Sequence, residues 1–357
     1  MTKRARRWLS LGATAIVLAW IVFHLARSPE WRTFDWDRLW RLLVHARPEY
    51  LVAAVVVTYL TYLIRAVRWK YFLAPLKSAP VRGLFVAQVL GFSSIYLIGR
   101  PAELVRPAYI ARREKVSFAS QFAILLLERI YDTVATVSIL AMALWFEPVS
   151  PTTARAAENL RRLHEGAYGL LVLLAFAVAG LVVFRLYSEA ITARVERLFG
   201  FLPAKFRSYL SRLLRSLSSG LDAIRNWRDL LASLGCTLVL WFLNVSLFWL
   251  VFRSLPGLTQ ISWWAAALTL VFAAAGLMVQ LPGVGGGFQV GIIQALRQIF
   301  HVRTEAATGA GILLWVVVLV PCLALGLVML VFEGLTFKKL GTIAEEERER
   351  AAMGERI

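Results

Sequence analysis

Glu128, Arg129 and Asp132 stand inside "FAILLLERIYDTVATVSILAMALWF", residues 122–146, one of the most apolar stretches of the chain. Carboxylates in such a setting can hold a guanidinium or a cationic headgroup, or pass a proton. A guanidinium can clasp a phosphate through two parallel N–H···O bonds. None of the three can sit at a membrane surface, because the 12 residues of 116–127 or the 14 of 133–146 would then have to cross alone. A crossing takes about 20. Three unpaired charges at mid-helix would cost about 8 to 10 kcal/mol if their penalties simply added, so partners or an aqueous cavity are required.

Pairing within the helix covers part of that demand. Glu128 and Asp132 are four residues apart and share a face, while Arg129 and Asp132, three apart, can pair. One acid remains. The nearest supply of cations is Arg100 and Arg106 in "GRPAELVRP", with Arg65 and Arg68 upstream, so the segment carrying Arg106 is predicted to pack on Glu128 and Asp132. In that motif Arg100, Glu103 and Arg106 recur every third residue, and Pro101 and Pro107 interrupt regular helix. An arginine held at such a break suits capture of a lipid phosphate. The alternatives are a buried ion network that only fixes helix register, and a loop whose arginines only follow the positive-inside rule.

A third feature is "LPGVGGGFQVG", with Pro282, Gly283, Gly285, Gly286, Gly287 and Gln289. Phe288 stands at the sixth position of a dinucleotide fingerprint and no βαβ context surrounds it, which excludes that reading. The glycines permit unusual backbone angles and close approach, and the helix that follows would aim free N–H groups at the break, a weak anion site. A tight turn serving only helix packing is the other reading. No nucleophile, zinc-ligand or phosphate-loop arrangement is found, so no cofactor or metal is expected, and His24, His45, His164 and His301 are scattered and receive no role.

These residues must be positioned by membrane helices. The 357 residues are 59% hydrophobic and 17% charged, with mean hydropathy +0.65, against the roughly 25% charge of soluble domains. The fold class is all-α, a polytopic transmembrane bundle. Full spans are predicted near 8–26, 49–69, 117–146, 166–187, 229–252 and 305–333. Two apolar stretches, 83–115 and 263–301, each contain a short helix, a break and a second short helix. Backbone broken at membrane depth survives only where protein or a water-filled cavity satisfies it, so both are expected to be re-entrant hairpins. They fall between corresponding spans and enter from opposite sides, as in an inverted-topology repeat, where such breaks mark a transporter's binding site.

The net charge of +18 sits between the apolar runs, not on a soluble face. That pattern places the N-terminus and Lys338-Lys339 in the cytoplasm, with basic loops facing anionic lipid, and argues against a nucleic-acid partner. The expected domain plan is an uncleaved N-terminal anchor over 1–30, an amphipathic interfacial helix within 31–48, a membrane domain over 49–337 and a charged cytoplasmic tail over 338–357. A second basic amphipathic helix is expected between Arg207 and Arg228. Cys236 and Cys322 lie in apolar runs and are read as buried thiols.

"GRPAELVRP", the Glu-Arg-x-x-Asp of residues 128–132 and the Pro-Gly-rich break at 282–287, in this order, make the chain resemble the membrane domain of the lysylphosphatidylglycerol synthase/flippase family and its stand-alone relatives, over roughly residues 50–335. Ile98, Ala102 and Gln289 depart from the residues most usual in that pattern, Pro, Gly and an acid. The resemblance implies a plasma-membrane lipid translocase acting on a phospholipid or another anionic or zwitterionic lipid, with a homo-oligomer left open. It also implies that Arg100, Glu103, Arg106, Glu128, Arg129, Asp132 and the residues of the glycine break contact substrate. Synthase members carry a soluble aminoacyl-transferase domain after the membrane part; none is expected within these 357 residues, so aminoacylation of lipid is not among the expectations. The competing readings are an intramembrane enzyme on a lipid-linked substrate, with Glu128 or Asp132 as acid or base, and a lipid-binding accessory subunit that turns nothing over.

Overall fold

A computed structural model describes residues 34–147, 154–187, 194, 227–277, 280–281, 285–336, 339–343 and 345–347. Ten α-helices carry the chain through these residues: α1 (Trp36–Val44), α2 (Pro48–Leu73), α3 (Val81–Ile98), α4 (Val105–Glu114), α5 (Phe118–Phe146), α6 (Ala154–Leu186), α7 (Trp227–Ser254), α8 (Trp263–Gly276), α9 (Gly287–Gln298) and α10 (Thr304–Phe332). The expected anchor at 8–26, the basic helix after Arg207, Pro282, Gly283, Lys338 and most of the tail lie outside the described residues.

α2 and α7 form the most extensive helix–helix interface and run antiparallel, since the Arg47 N–H at the start of α2 donates to the Ser254 carbonyl at the end of α7. Each is followed by a helical hairpin and then a long helix: α2, α3/α4, α5 in one half, α7, α8/α9, α10 in the other. Because the lead helices point in opposite directions, the hairpins enter from opposite faces. Each packs between the helices of its own half and touches the last helix of the other, α3 on α10 and α8 on α5. This is the arrangement of an inverted repeat.

Both hairpins return to the side they entered from. A Cβ on Gly83, near the start of α3, would lie 3.0 Å from Arg113 Nε near the end of α4, and one on Gly91 would lie 2.7 Å from Arg106 Cβ. The first break turns at Gly99, whose φ of 96° is open to glycine, and passes through a 3-10 turn over Arg100–Leu104. In the second, Gln280–Leu281 pairs antiparallel with Gly285–Gly286, and Gly286 takes φ 91° before α9 begins.

Among the described residues, four helices are long and apolar enough to cross a membrane: α2, α3, α7 and α10. Three coincide with predicted spans. α3 differs from the sequence expectation of a short helix, for its 18 residues reach about 27 Å. Gly91, Ser93 and Ser94 do not interrupt it. Ser94 Oγ donates to the Leu90 carbonyl, Ser93 Oγ donates to Cys322 O on α10 at 3.0 Å, and Gly91 makes room for Arg106. They are packing residues inside a continuous helix. α5 and α6 hold the predicted spans 117–146 and 166–187 but fall outside those four. In α5 the three charges of residues 128–132 interrupt the apolar run.

α1, capped by Asp35 accepting from Arg38 N, is not detached from the bundle. Leu39 is buried and packs at Gly309 of α10, while Trp36 and Trp40 face outward, the pattern of an interfacial helix.

Candidate functional site

The charges of α5 are met by helix ends converging at one depth. α5 begins with Ser117 capping Ser120 N, and Gln121, one turn in, accepts a hydrogen bond from Trp69 Nε1 of α2 at 3.1 Å. That contact sets the level of α5 against the last two turns of α2. Two turns further along α5 lies Glu128, fully buried.

Four guanidiniums surround it. Arg68 Nη2 donates to Glu128 Oε1 at 2.7 Å, Arg106 pairs with Oε2, Arg65 Nη1 lies 3.5 Å from Oε1, and Arg129 Nη2 lies 3.6 Å from Oε2. Asp132 takes the other branch of Arg68 at 2.8 Å, with Arg65 at 3.6 Å and Arg129 at 4.0 Å. Arg68 thus bridges both acids, one from each nitrogen, and its Nη1 also reaches Thr237 Oγ1 of α7 at 3.3 Å. Arg106 donates to Gln88 Oε1 of α3 at 2.6 Å and stacks over Trp69, its guanidinium carbon 4.5 Å from the ring centroid. Glu103 of the 3-10 turn closes the group at 3.3 Å from Arg129 Nε. Four arginines against three acids leave this group one positive charge in excess.

The predicted packing of the first hairpin is therefore found at Glu128, through Arg106, while Asp132 is met by Arg65 and Arg68 of α2 and by Arg129 of its own helix; Arg106, Glu103, Glu128, Arg129 and Asp132 come together in one group. Their pairing differs from the local one that spacing suggests. The Arg129–Asp132 contact is long, and the tight partner of both acids is Arg68, which approaches from α2 on the shared face of residues 128 and 132. Arg100 opens the 3-10 turn one residue after Gly99. The glycine motif belongs to the other hairpin: Gly285 and Gly286 form its short pairing, Gly287 starts α9, and Gln289 lies against Gly311 of α10.

Gln88, Thr237 and Phe92, whose ring lies 5.2 Å from Arg65 and 5.6 Å from Arg106, were not singled out from sequence. Gln88 is the one amide within 83–98, which is the available signal for it. Thr237 and Phe92 carry none.

Exposure divides the cluster. The side chains of Arg68 and Arg106 are 1% and 4% exposed, and their terminal nitrogens donate to Glu128, Asp132, Gln88 and Thr237. Arg129 is 42% exposed, meets only acids at 3.3 to 4.0 Å, and has an Nε without a hydrogen-bond partner among the described residues. Chemically, the buried part is a lock joining α2, α4 and α5. The Arg129–Glu103 edge is an accessible cation beside an accessible anion.

A family described as the lysylphosphatidylglycerol synthase TM region matches residues 7–326. Neither a curated protein nor a solved structure matches the chain.

Proposed function

The chain belongs to the lysylphosphatidylglycerol synthase transmembrane-region family, a multi-pass membrane protein concerned with lipid, and from that premise we propose that it is a lipid translocase. It moves an anionic or zwitterionic headgroup past the first hairpin while the acyl chains stay in the bilayer. The observation that carries this reading is the partly exposed Arg129–Glu103 edge beside the buried Arg68, Arg106 and Glu128. Intramembrane charges are expensive, and a pair left accessible at that depth fits an exchangeable polar ligand better than a purely structural bond.

In this reading Arg129 binds the headgroup phosphate, and Glu103 either releases Arg129 to it or takes a headgroup amine. Arg68, Arg106 and Glu128 position Arg129 and do not touch substrate. Arg100 and the glycine break of the second hairpin are the further candidates for contact. The protein works in the plasma membrane with both termini cytoplasmic, and transport needs no cofactor and leaves the lipid chemically unchanged.

The test is movement of labelled phospholipids across vesicles reconstituted with the full chain. Arg129→Gln is expected to suppress movement while the protein keeps its fold and yield. Equal loss of folded protein and transport would assign the cluster to structure alone, and a chemically altered lipid would assign the protein to the enzymes.

A further inference from the structure

Away from the ionic cluster, α7 and α8 border an open groove of about 320 Å³ lined by Phe242, Ser246, Trp249, Leu250 and Trp263. The lining residues of α7 recur at three- and four-residue spacing, so they form one stripe along the helix. Trp263, the first residue of α8, closes the side: its Nε1 donates to Ser246 Oγ at 3.3 Å, and its ring lies 5.7 Å from Phe242. With that hydroxyl and indole paired, what the groove offers is apolar and aromatic surface.

Arg253 continues the same stripe at the outer end. Its guanidinium carbon sits 4.9 Å from the Trp249 ring centroid. Among the described residues its Nε is buried without a hydrogen-bond partner, and no carboxylate lies within salt-bridge distance of it. It therefore contrasts with Arg65, Arg68, Arg106 and Arg129, each of which has an acid. From Phe242 to Arg253 the helix rises about 17 Å, close to the roughly 15 Å of one leaflet's hydrocarbon. Arg253 is one residue from the end of α7, whose 28 residues exceed the apolar thickness, so it stands at the interface and Phe242 near the bilayer centre. The polarity runs as a phospholipid's does.

We propose that this groove is a phospholipid-binding site separate from the ionic cluster, holding one acyl chain along Phe242, Ser246, Trp249 and Leu250 with the lipid's phosphate on Arg253. A guanidinium that already stacks on an aromatic ring keeps its in-plane N–H groups for such an oxyanion. The volume, at the small end of ligand sites, suits one chain and not a whole lipid. The site does not depend on lipid movement through the first hairpin, and its test reads binding alone.

The experiment places the full chain in nanodiscs containing phosphatidylglycerol with a photoactivatable group at the end of one acyl chain, then maps adducts by peptide mass spectrometry. Adducts are expected to concentrate between residues 242 and 250. Arg253→Gln should lower them roughly tenfold, as for loss of one charge-assisted phosphate contact, Arg253→Lys should keep most of them, and Ser246→Trp, which fills the groove, should abolish them. A diacylglycerol probe with the same photogroup should label weakly. Labelling at 242–250 no stronger than on the exposed faces of α2 and α10 would overturn the proposal, as would equal labelling by diacylglycerol or indifference to Arg253→Gln. A Ser246→Cys variant that cross-links to a second copy at the expense of lipid adducts would show that the groove is a subunit interface, and would overturn it too.

Discussion

Arg106 and Phe288 are each the second residue of the returning arm of a hairpin, one in α4 and the other in α9. Glu128 and Leu314 are likewise each the eleventh residue of the long helix that follows, α5 and α10, and Arg129 and Trp315 come next. Where the first half of the repeat gathers four arginines and three acids, the second gathers Phe288 between Phe248 at 6.0 Å and Trp315 at 5.9 Å, in an apolar core that also includes the buried Leu314. The hairpin arms differ in the same sense. α3 meets α4 through Gly91 against the Arg106 side chain, whereas α8 meets α9 backbone to backbone, Gly276 on the Gly287 carbonyl and Gly291 on that of Phe272. Small residues and dispersion hold one hairpin together, so an ionic core is not a requirement of this architecture. Since a buried ion network adds little net stability over a well-packed apolar one, its presence in one half only, among the described residues, points to work other than adhesion.

The largest effect is expected from making position 128 match its counterpart. Glu128→Leu strips Arg68 and Arg106 of a buried carboxylate and should cost about 3–5 kcal/mol, read as unfolding of the purified protein in detergent. Adding Arg106→Phe, which copies Phe288, should restore part of that loss and leave lipid movement dead. A single Glu128→Leu variant as stable as the parent would show that the lock is looser than its distances.

Next come the glycines. At Gly276 an added methyl would overlap the Gly287 carbonyl, and backbone cannot step aside as a side chain can. Gly276→Ala should therefore cost about 3 kcal/mol and Gly91→Ala about 1–2 kcal/mol, the two ends of the over-packing range, by the same unfolding measurement. The reverse order would mean that the ionic hairpin is the tighter of the two.

Much of the charged half was legible in the sequence, and for one reason: a charge in an apolar run violates hydropathy, so Glu128, Arg129 and Asp132 announced themselves and demanded cations. The two breaks were legible through Gly99-Arg100-Pro101 and the run from Pro282 to Gly287, because glycine and proline at membrane depth are hard to read otherwise. What spacing could not supply was rotation. Whether Arg68 or Arg106 faces the acids depends on how α2 and α4 turn about their axes, and hydropathy is blind to that. The length of α3 was not legible either, because Gly91, Ser93 and Ser94 are small residues that weaken helices in water, but between membrane helices they allow close contact. The aromatic counterpart of the cluster carried no signal, since Phe248, Phe288 and Trp315 are ordinary residues of an apolar helix.

Within the charged half, Arg129 separates function from adhesion. Its contacts are long and it is partly exposed, so Arg129→Gln should change stability by less than about 1 kcal/mol. Lipid movement in reconstituted vesicles is expected to fall at least roughly tenfold, the value of one charge-assisted phosphate contact. A variant that transports at the parent's rate would return the whole cluster to a structural role, alongside the aromatic one.

The smallest effect belongs to a peripheral counterpart of the lock, where the same hairpin meets the end of α10. Arg113 Nη1 lies 2.8 Å from Glu333 Oε1, and Tyr109 donates to Oε2 at 2.8 Å. Partial burial would raise the Glu333 carboxyl, but the Arg113 and Tyr109 hydrogen bonds outweigh it and hold the group below the usual carboxylate range. A depressed pKa contributes stability that is fully present above the unfolded value of about 4.3 and is lost as pH falls through the folded one. The pair is exposed enough that its worth is at most about 1 kcal/mol. Glu333→Gln should thus lower the unfolding temperature slightly and uniformly from pH 8 to pH 5, and the difference from the parent should close below about pH 4. A gap that persisted at low pH would mean that Glu333 acts through packing on Tyr109, the means used by the apolar half, and not through its charge.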